Sequence, residues 1–167
     1  MTTIQNPQTR YPEAAILADE RVPAIHIWRD FDATPEQLIR AHTDPLLFVQ
    51  WIGPDSLTTR IDHWDCRTLG SYRYVASRDG EEYAFRGTFP EVSDTRLVQT
   101  FTWEGMPDAV ALETMTFKEL GEGRTRLHGF SLCDSFEGRD QMLSSGMEVG
   151  IHDGYAKLDR LLTGGSL

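Results

Sequence analysis

The sequence predicts an α+β fold: a curved antiparallel sheet wrapped around a long C-terminal helix, with two short helices after the first strand. Three observations carry this. Residues 57 to 133 break into six strand-like segments separated by turn residues. Phe136 to Leu162 reads as one helix whose apolar stripe runs through Leu143, Met147, Ile151, Leu158 and Leu161. Two helix starts, Thr34-Pro35-Glu36-Gln37 and Asp44-Pro45, follow the first alternating strand.

Residues 1 to 22 mix Thr, Gln, Pro and charge without a sustained period and are expected to form an arm, with Ala14 to Ala18 as a helical turn. The folded unit is expected over 23 to 164. From Ala24 to Phe31, Ile25 and Ile27 alternate with His26 and Trp28, which makes the first strand. Thr34 then caps a helix ending near Thr43, and Asp44-Pro45 restarts a second that Gly53-Pro54 stops. The strands are expected at 57 to 65, 70 to 77, 82 to 92, 95 to 103, 110 to 120 and 124 to 133. Short turns such as Asp79-Gly80 and Gly121-Glu122-Gly123 join them into an antiparallel meander.

Gly146, Gly150 and Gly154 recur through the C-terminal helix, although each costs a helix interior roughly 1 kcal/mol relative to alanine. Strand parity sends many large rings toward the same helix. The aromatics therefore either fill a core that closes on bare glycine or line a chamber between sheet and helix. In the second case the aromatic wall is Trp51, Tyr72, Tyr74, Phe85 and Trp103. Glu113, Met115, Met147, Gly150 and Ile151 complete it.

The chain has 167 residues, 40% hydrophobic and 25% charged, which suits one globular core. Sixteen basic and twenty-six acidic residues give a net charge of −10, which repels nucleic-acid phosphate and anionic membranes. Two cysteines, Cys66 and Cys133, are too few for a disulfide scaffold, and no apolar run approaches the ~20 residues that span a bilayer. A cytoplasmic location is expected.

Glu113 is the candidate for chemistry, because it shares strand parity with Ala111, Met115 and Phe117. A carboxylate on that face is desolvated and its pKa rises unless a cation pairs with it. An ion pair near the strand end or an outward face are the competing placements. His26, His42, His63, His128 and His152 are scattered, with no paired metal-ligand spacing, and His63-Trp64-Asp65-Cys66 splits across two strand faces. No metal or cofactor is expected. No nucleophile elbow or phosphate loop is present. Trp28, if it faces outward, is an anchor for a homodimer.

Thr43-Asp44-Pro45 with Trp51-Ile52-Gly53-Pro54, Gly70-Ser71-Tyr72-Arg73-Tyr74, Phe85-Arg86-Gly87-Thr88-Phe89 and Thr125-Arg126-Leu127 resemble the activator of heat-shock-protein-90 ATPase family. That family belongs to the START-like (SRPBCC), helix-grip superfamily. The resemblance runs from about Ala24 to Leu162 and implies a sheet gripping a helix around a hydrophobic cavity, without implying a reaction. Ile52 and Leu69 depart from it, since the family often has tryptophan and glycine there. The chaperone activators of the family carry a separate N-terminal chaperone-binding domain, for which the arm before Ala24 is too short, so chaperone activation is not expected. The leading expectation is a carrier of a small hydrophobic molecule. The alternatives are a cyclase- or hydrolase-type enzyme on a hydrophobic ring substrate with Glu113 as acid/base, and a protein-interaction module.

Overall fold

The computed structural model describes residues 9 to 165, so the first eight residues of the expected arm lie outside the described residues. Nine strands form one antiparallel sheet in the order β1-β2-β9-β8-β7-β5-β4-β3, with β6 paired to β7 off that path. The strands are β1 (Ala15–Ala18), β2 (Ala24–Phe31), β3 (Thr58–Trp64), β4 (Gly70–Arg78), β5 (Glu81–Phe89), β6 (Glu91–Val92), β7 (Arg96–Trp103), β8 (Ala111–Gly121) and β9 (Arg124–Leu132). The helices are α1 (Pro35–Thr43), α2 (Pro45–Trp51), α3 (Phe136–Ser144) and α4 (Met147–Thr163). The expected mixed fold, with two short helices after the strand at Ala24 and a long helix at the C-terminus, is present.

Local chemistry accounts for most boundaries. Thr34 accepts a hydrogen bond from the Gln37 N–H while the Gln37 side chain accepts from the Thr34 N–H, so both orphan donors at the start of α1 are satisfied. Asp44 caps α2 through the Leu46 N–H at 2.9 Å. Pro90 interrupts the expected strand at 82 to 92, splitting it into β5 and β6, because proline has no N–H to donate to the ladder.

Three features differ from the sequence expectation. Ala15–Ala18 is a strand at the sheet edge, paired antiparallel with Ile25–Trp28, and not a helical turn. The segment before it is fastened to the outer face: the Tyr11 N–H donates to Asp30, and the Arg126 guanidinium bonds Asp30 and the Thr9 carbonyl while lying over the Tyr11 ring. Trp28 faces outward, with its ring stacked between Tyr11 and His128.

The third difference is the C-terminal helix. It is broken into α3 and α4 at Gly146, whose φ of +89° is a left-handed conformation that helical residues do not adopt. Gly146 is therefore a joint and not a bare spot on a continuous helix. The buried face of α4 is Gly154, Tyr155, Leu158 and Leu162, shifted from the expected stripe.

Candidate functional site

The concave side of the sheet meets α4 in two zones. In one, Phe31, Leu38, Phe89, Leu127 and Leu158 are completely enclosed and make an ordinary close-packed core. In the other, Phe85, Phe101, Glu113, Met115 and Ile151 lie on inward positions yet keep accessible surface. Phe85 stacks on Tyr74 and on Phe101, with centroids 5.2 and 5.3 Å away, extending the aromatic surface across three strands.

Glu113 lies in this second zone, at the middle of the sheet. Register places Gln99 of β7 on one side of it and Ser131 of β9 on the other. The Gln99 amide donates to Oε1 at 3.0 Å and the Ser131 hydroxyl to Oε2 at 3.1 Å. Burial pushes the Glu113 carboxyl above its ordinary pKa, and these two hydrogen bonds only partly oppose it. Among the described residues Glu113 has no ion-pair partner, so neither an outward face nor a salt bridge accounts for it. Burial raises the phenols of Tyr72, Tyr74 and Tyr155; the Glu113 carboxylate raises those of Tyr74 and Tyr155 further, and for Tyr72 it acts after the neighbouring Tyr74. The Tyr74 and Tyr155 hydroxyls make no hydrogen bond among the described residues, and both rings are buried.

Tyr155 also borders a recess of about 450 Å³ between α4 and the segment before β1, lined in part by Pro12, Ala14, Arg29, His152 and Asp159. Arg29 points inward from β2, is nearly buried, and is held by the Asp159 carboxylate of α4 and the Asp30 carbonyl. The Tyr155 ring packs edge-on against Phe31 and beside Trp51, and its phenol is raised by burial and by Glu113 while Arg29 opposes the shift.

The expected wall residues divide. Phe85, Met115 and Ile151 are partly buried and pack against the core cluster, which includes Tyr74, and Glu113 shares the inward face of β8 with Met115. Trp51 is core: its indole N–H is spent on the Ala41 carbonyl and its ring packs on His42 and Phe48. Tyr72 is likewise core, with its hydroxyl donated to the Thr100 carbonyl at 2.6 Å. Trp103 is 40% exposed where β7 ends, and its ring lies over Gly105 in the following turn, at the lip of the sheet. Gly150 faces Pro54 of the α2–β3 connection and not the chamber. Met147 is half-buried at the start of α4; it is Met142 of α3 whose sulfur lies 4.0 Å from the Ser131 hydroxyl beside Glu113.

Tyr155, Gln99 and Ser131 were not singled out from sequence. Strand parity with Phe101 was the available signal for Gln99, and the i+4 step from Ile151 was the signal for Tyr155.

On the opposite face, two histidines far apart in sequence meet: His26 Nδ1 lies 2.9 Å from His128 Nε2, and His26 Nε2 lies 2.9 Å from Asp19. Burial, aided by His26, lowers the His128 pKa to about 4, and the hydrogen bond from His26 lowers that of Asp19 to about 2. No group of three or more His, Cys, Asp or Glu among the described residues is arranged to hold a metal ion. Both cysteines are free, and burial lifts the Cys66 thiol to about 12, far from a reactive thiolate. No described helix is long and apolar enough to cross a membrane.

Solved structures share this architecture. Protein Ms6760 from Mycobacterium smegmatis is 24% identical, with a TM-score of 0.80, 90% of this chain and 97% of that one being covered. A protein from Arthrobacter aurescens is 22% identical, with a TM-score of 0.82 and coverage of 91% and 92%. DynU16, from the dynemicin biosynthetic locus, is 21% identical, with a TM-score of 0.65 over 86% of this chain and 48% of that one. At these identities the likeness shows the fold. No curated protein matches the chain. Residues 32–163 match the family described as Activator of Hsp90 ATPase homolog 1-like protein, and since that match spans most of the chain, the protein belongs to this family.

Proposed function

We propose that the protein is a cytoplasmic START-like carrier that binds one small hydrophobic molecule between the concave sheet and α4. The observation that carries this reading is the mismatch between the two zones. One is packed to completion, while the other keeps accessible surface on inward aromatic and aliphatic side chains around a half-buried, hydrogen-bonded carboxyl. Apolar walls with a few convergent polar groups are the usual composition of a small-molecule site. On this reading the recess bordered by Arg29 and Tyr155 is the way in from solvent.

Titration with a hydrophobic fluorescent probe tests the reading: saturable binding near one site per chain is expected, and Ile151→Phe, which fills the zone, is expected to weaken it about tenfold. Absence of saturation with several apolar probes overturns it.

The Glu113 environment favours one second reading, in which the bound molecule is also transformed. A carboxyl with an elevated pKa beside apolar walls is suited to proton transfer, and DynU16 comes from a biosynthetic locus. Glu113→Gln tests this second reading: an enzyme loses turnover on a ligand it still holds, whereas a carrier has no turnover to lose and the variant changes only which ligands it prefers.

A further inference from the structure

We infer that the ligand carries a protonated amine on an apolar skeleton, and that Glu113, with Gln99 and Ser131 behind it, is the group that receives it. This rests on the binding reading above and deepens it. Both protein neighbours of Glu113 are neutral donors, one on each carboxylate oxygen, so they orient the carboxylate without neutralising it. The remaining lone pairs have no donor among the described residues. Nor does any described cation pair with it: Arg29, the inward arginine, is committed to Asp159. A half-buried carboxylate without a counter-charge is a costly arrangement that an incoming cation relieves.

The surroundings suit an ammonium better than a hydroxyl. Tyr74, Phe85 and Phe101 form a continuous stacked surface beside the carboxylate, and aromatic faces attract a cation. The Tyr74 ring is part of that wall, and its hydroxyl, which makes no hydrogen bond among the described residues, offers an acceptor oxygen there. A neutral hydrocarbon would leave all of these groups unused.

The test compares 1-naphthylmethylamine with 1-ethylnaphthalene, which differ by –NH3⁺ against –CH3 on one skeleton. Each displaces a bound hydrophobic fluorescent probe from the intact protein at pH 7. The amine is expected to bind at least about tenfold tighter than the hydrocarbon, since a charge-assisted hydrogen bond is the strong kind. In Glu113→Gln the preference is expected to fall to about twofold or less, with the hydrocarbon's affinity unchanged. The net charge of −10 attracts any amine, so the comparison is repeated at high salt, which screens that general attraction but not a contact inside the fold.

A preference below about threefold in the wild-type protein at high salt overturns the inference, as does a preference that persists undiminished in Glu113→Gln. Saturable binding of the hydrocarbon alone leaves the carrier reading standing and removes only the amine. Failure of both molecules and of the probe removes the carrier reading as well. Should Glu113→Gln not fold, the wild-type comparison at high salt decides by itself.

Discussion

The carbonyl oxygen of Trp51 closes on Gly154: a Cβ placed on that glycine would lie 3.0 Å from it. One turn earlier, a Cβ on Gly150 would meet Pro54 Cδ at an ordinary 3.4 Å. The two glycines of α4 therefore have opposite tolerances. Gly150→Ala is expected to stabilise the protein by up to about 1 kcal/mol, the helix-propensity gain. At Gly154 the same gain is offset by overlap with a backbone that cannot retreat, because the Trp51 indole is pinned to Ala41, and a net loss of about 1 kcal/mol is expected. Thermal unfolding of the two variants side by side gives the answer, and equal shifts in Tm would show that α2 yields.

Leu69 has φ of +71° and is 89% exposed, just before Gly70 at the entry to β4. It adopts this conformation because the Leu69 N–H reaches the Phe89 carbonyl at 2.7 Å while the Gly70 N–H reaches Arg67 at 2.8 Å, which fixes the turn. Left-handed backbone costs a Cβ-bearing residue roughly 1–2 kcal/mol, and so little of the side chain is buried that removing it loses almost no packing. Leu69→Gly is expected to raise stability by about 1 kcal/mol, the rest being returned through the freer unfolded chain. Leu69→Ala, which keeps the Cβ, is expected to gain nothing. A gain from alanine would assign the strain to the leucine side chain and not to φ.

His42, on α1, is buried with its ring against Trp51 and Phe117; Nδ1 donates to the Leu38 carbonyl at 2.7 Å and Nε2 has no partner among the described residues. Burial lowers its pKa from 6.5 to about 4. The unfolded chain therefore takes up the proton first as pH falls, and stability drops from about pH 6.5 down to about pH 4, while above pH 6.5 the full contribution is present. The depression corresponds to roughly 3 kcal/mol over that window. Denaturant unfolding across this range should show a steeper loss in the wild-type protein than in His42→Phe, which has no proton to take up. Parallel curves would mean that His42 is solvated in the folded state.

What was legible in the sequence follows the range of the physics behind it. The boundaries at Thr34, Asp44 and Asp79-Gly80 come from interactions within four residues, and each appears where the sequence places it. The break at Gly146 was not legible, because apolar spacing continues through the joint and a positive φ leaves no trace in periodicity. The edge strand at Ala15 was missed for a different reason: four residues show little period, and only pairing with β2 makes them extended. Parity sufficed to turn Glu113 inward. Its partners Gln99 and Ser131 depend on cross-strand register, set by the β7–β8 and β8–β9 turns, and the meeting of His26 with His128 requires the pairing of β2 with β9.

Glu113 tilts the pH dependence the other way from His42. Its folded-state pKa is raised, so the folded protein holds this proton more tightly than the unfolded chain does. The resulting contribution is fully present below the ordinary glutamate pKa and is lost as pH climbs through the raised value. In Glu113→Gln the penalty for burying a charge at high pH is removed. The hydrogen bonds survive in altered form, because Gln99 still donates to the new amide oxygen and the Ser131 hydroxyl turns from donor to acceptor for the new NH2. The ligand-free variant is therefore expected to melt above the wild type at pH 8, with the difference shrinking toward pH 5. A saturating apolar amine should reverse that order at pH 8 by stabilising only the protein that retains the carboxylate. A variant less stable than wild type at pH 8 without ligand would show that the carboxylate is already compensated within the protein, which would remove the energetic ground for an amine at this site.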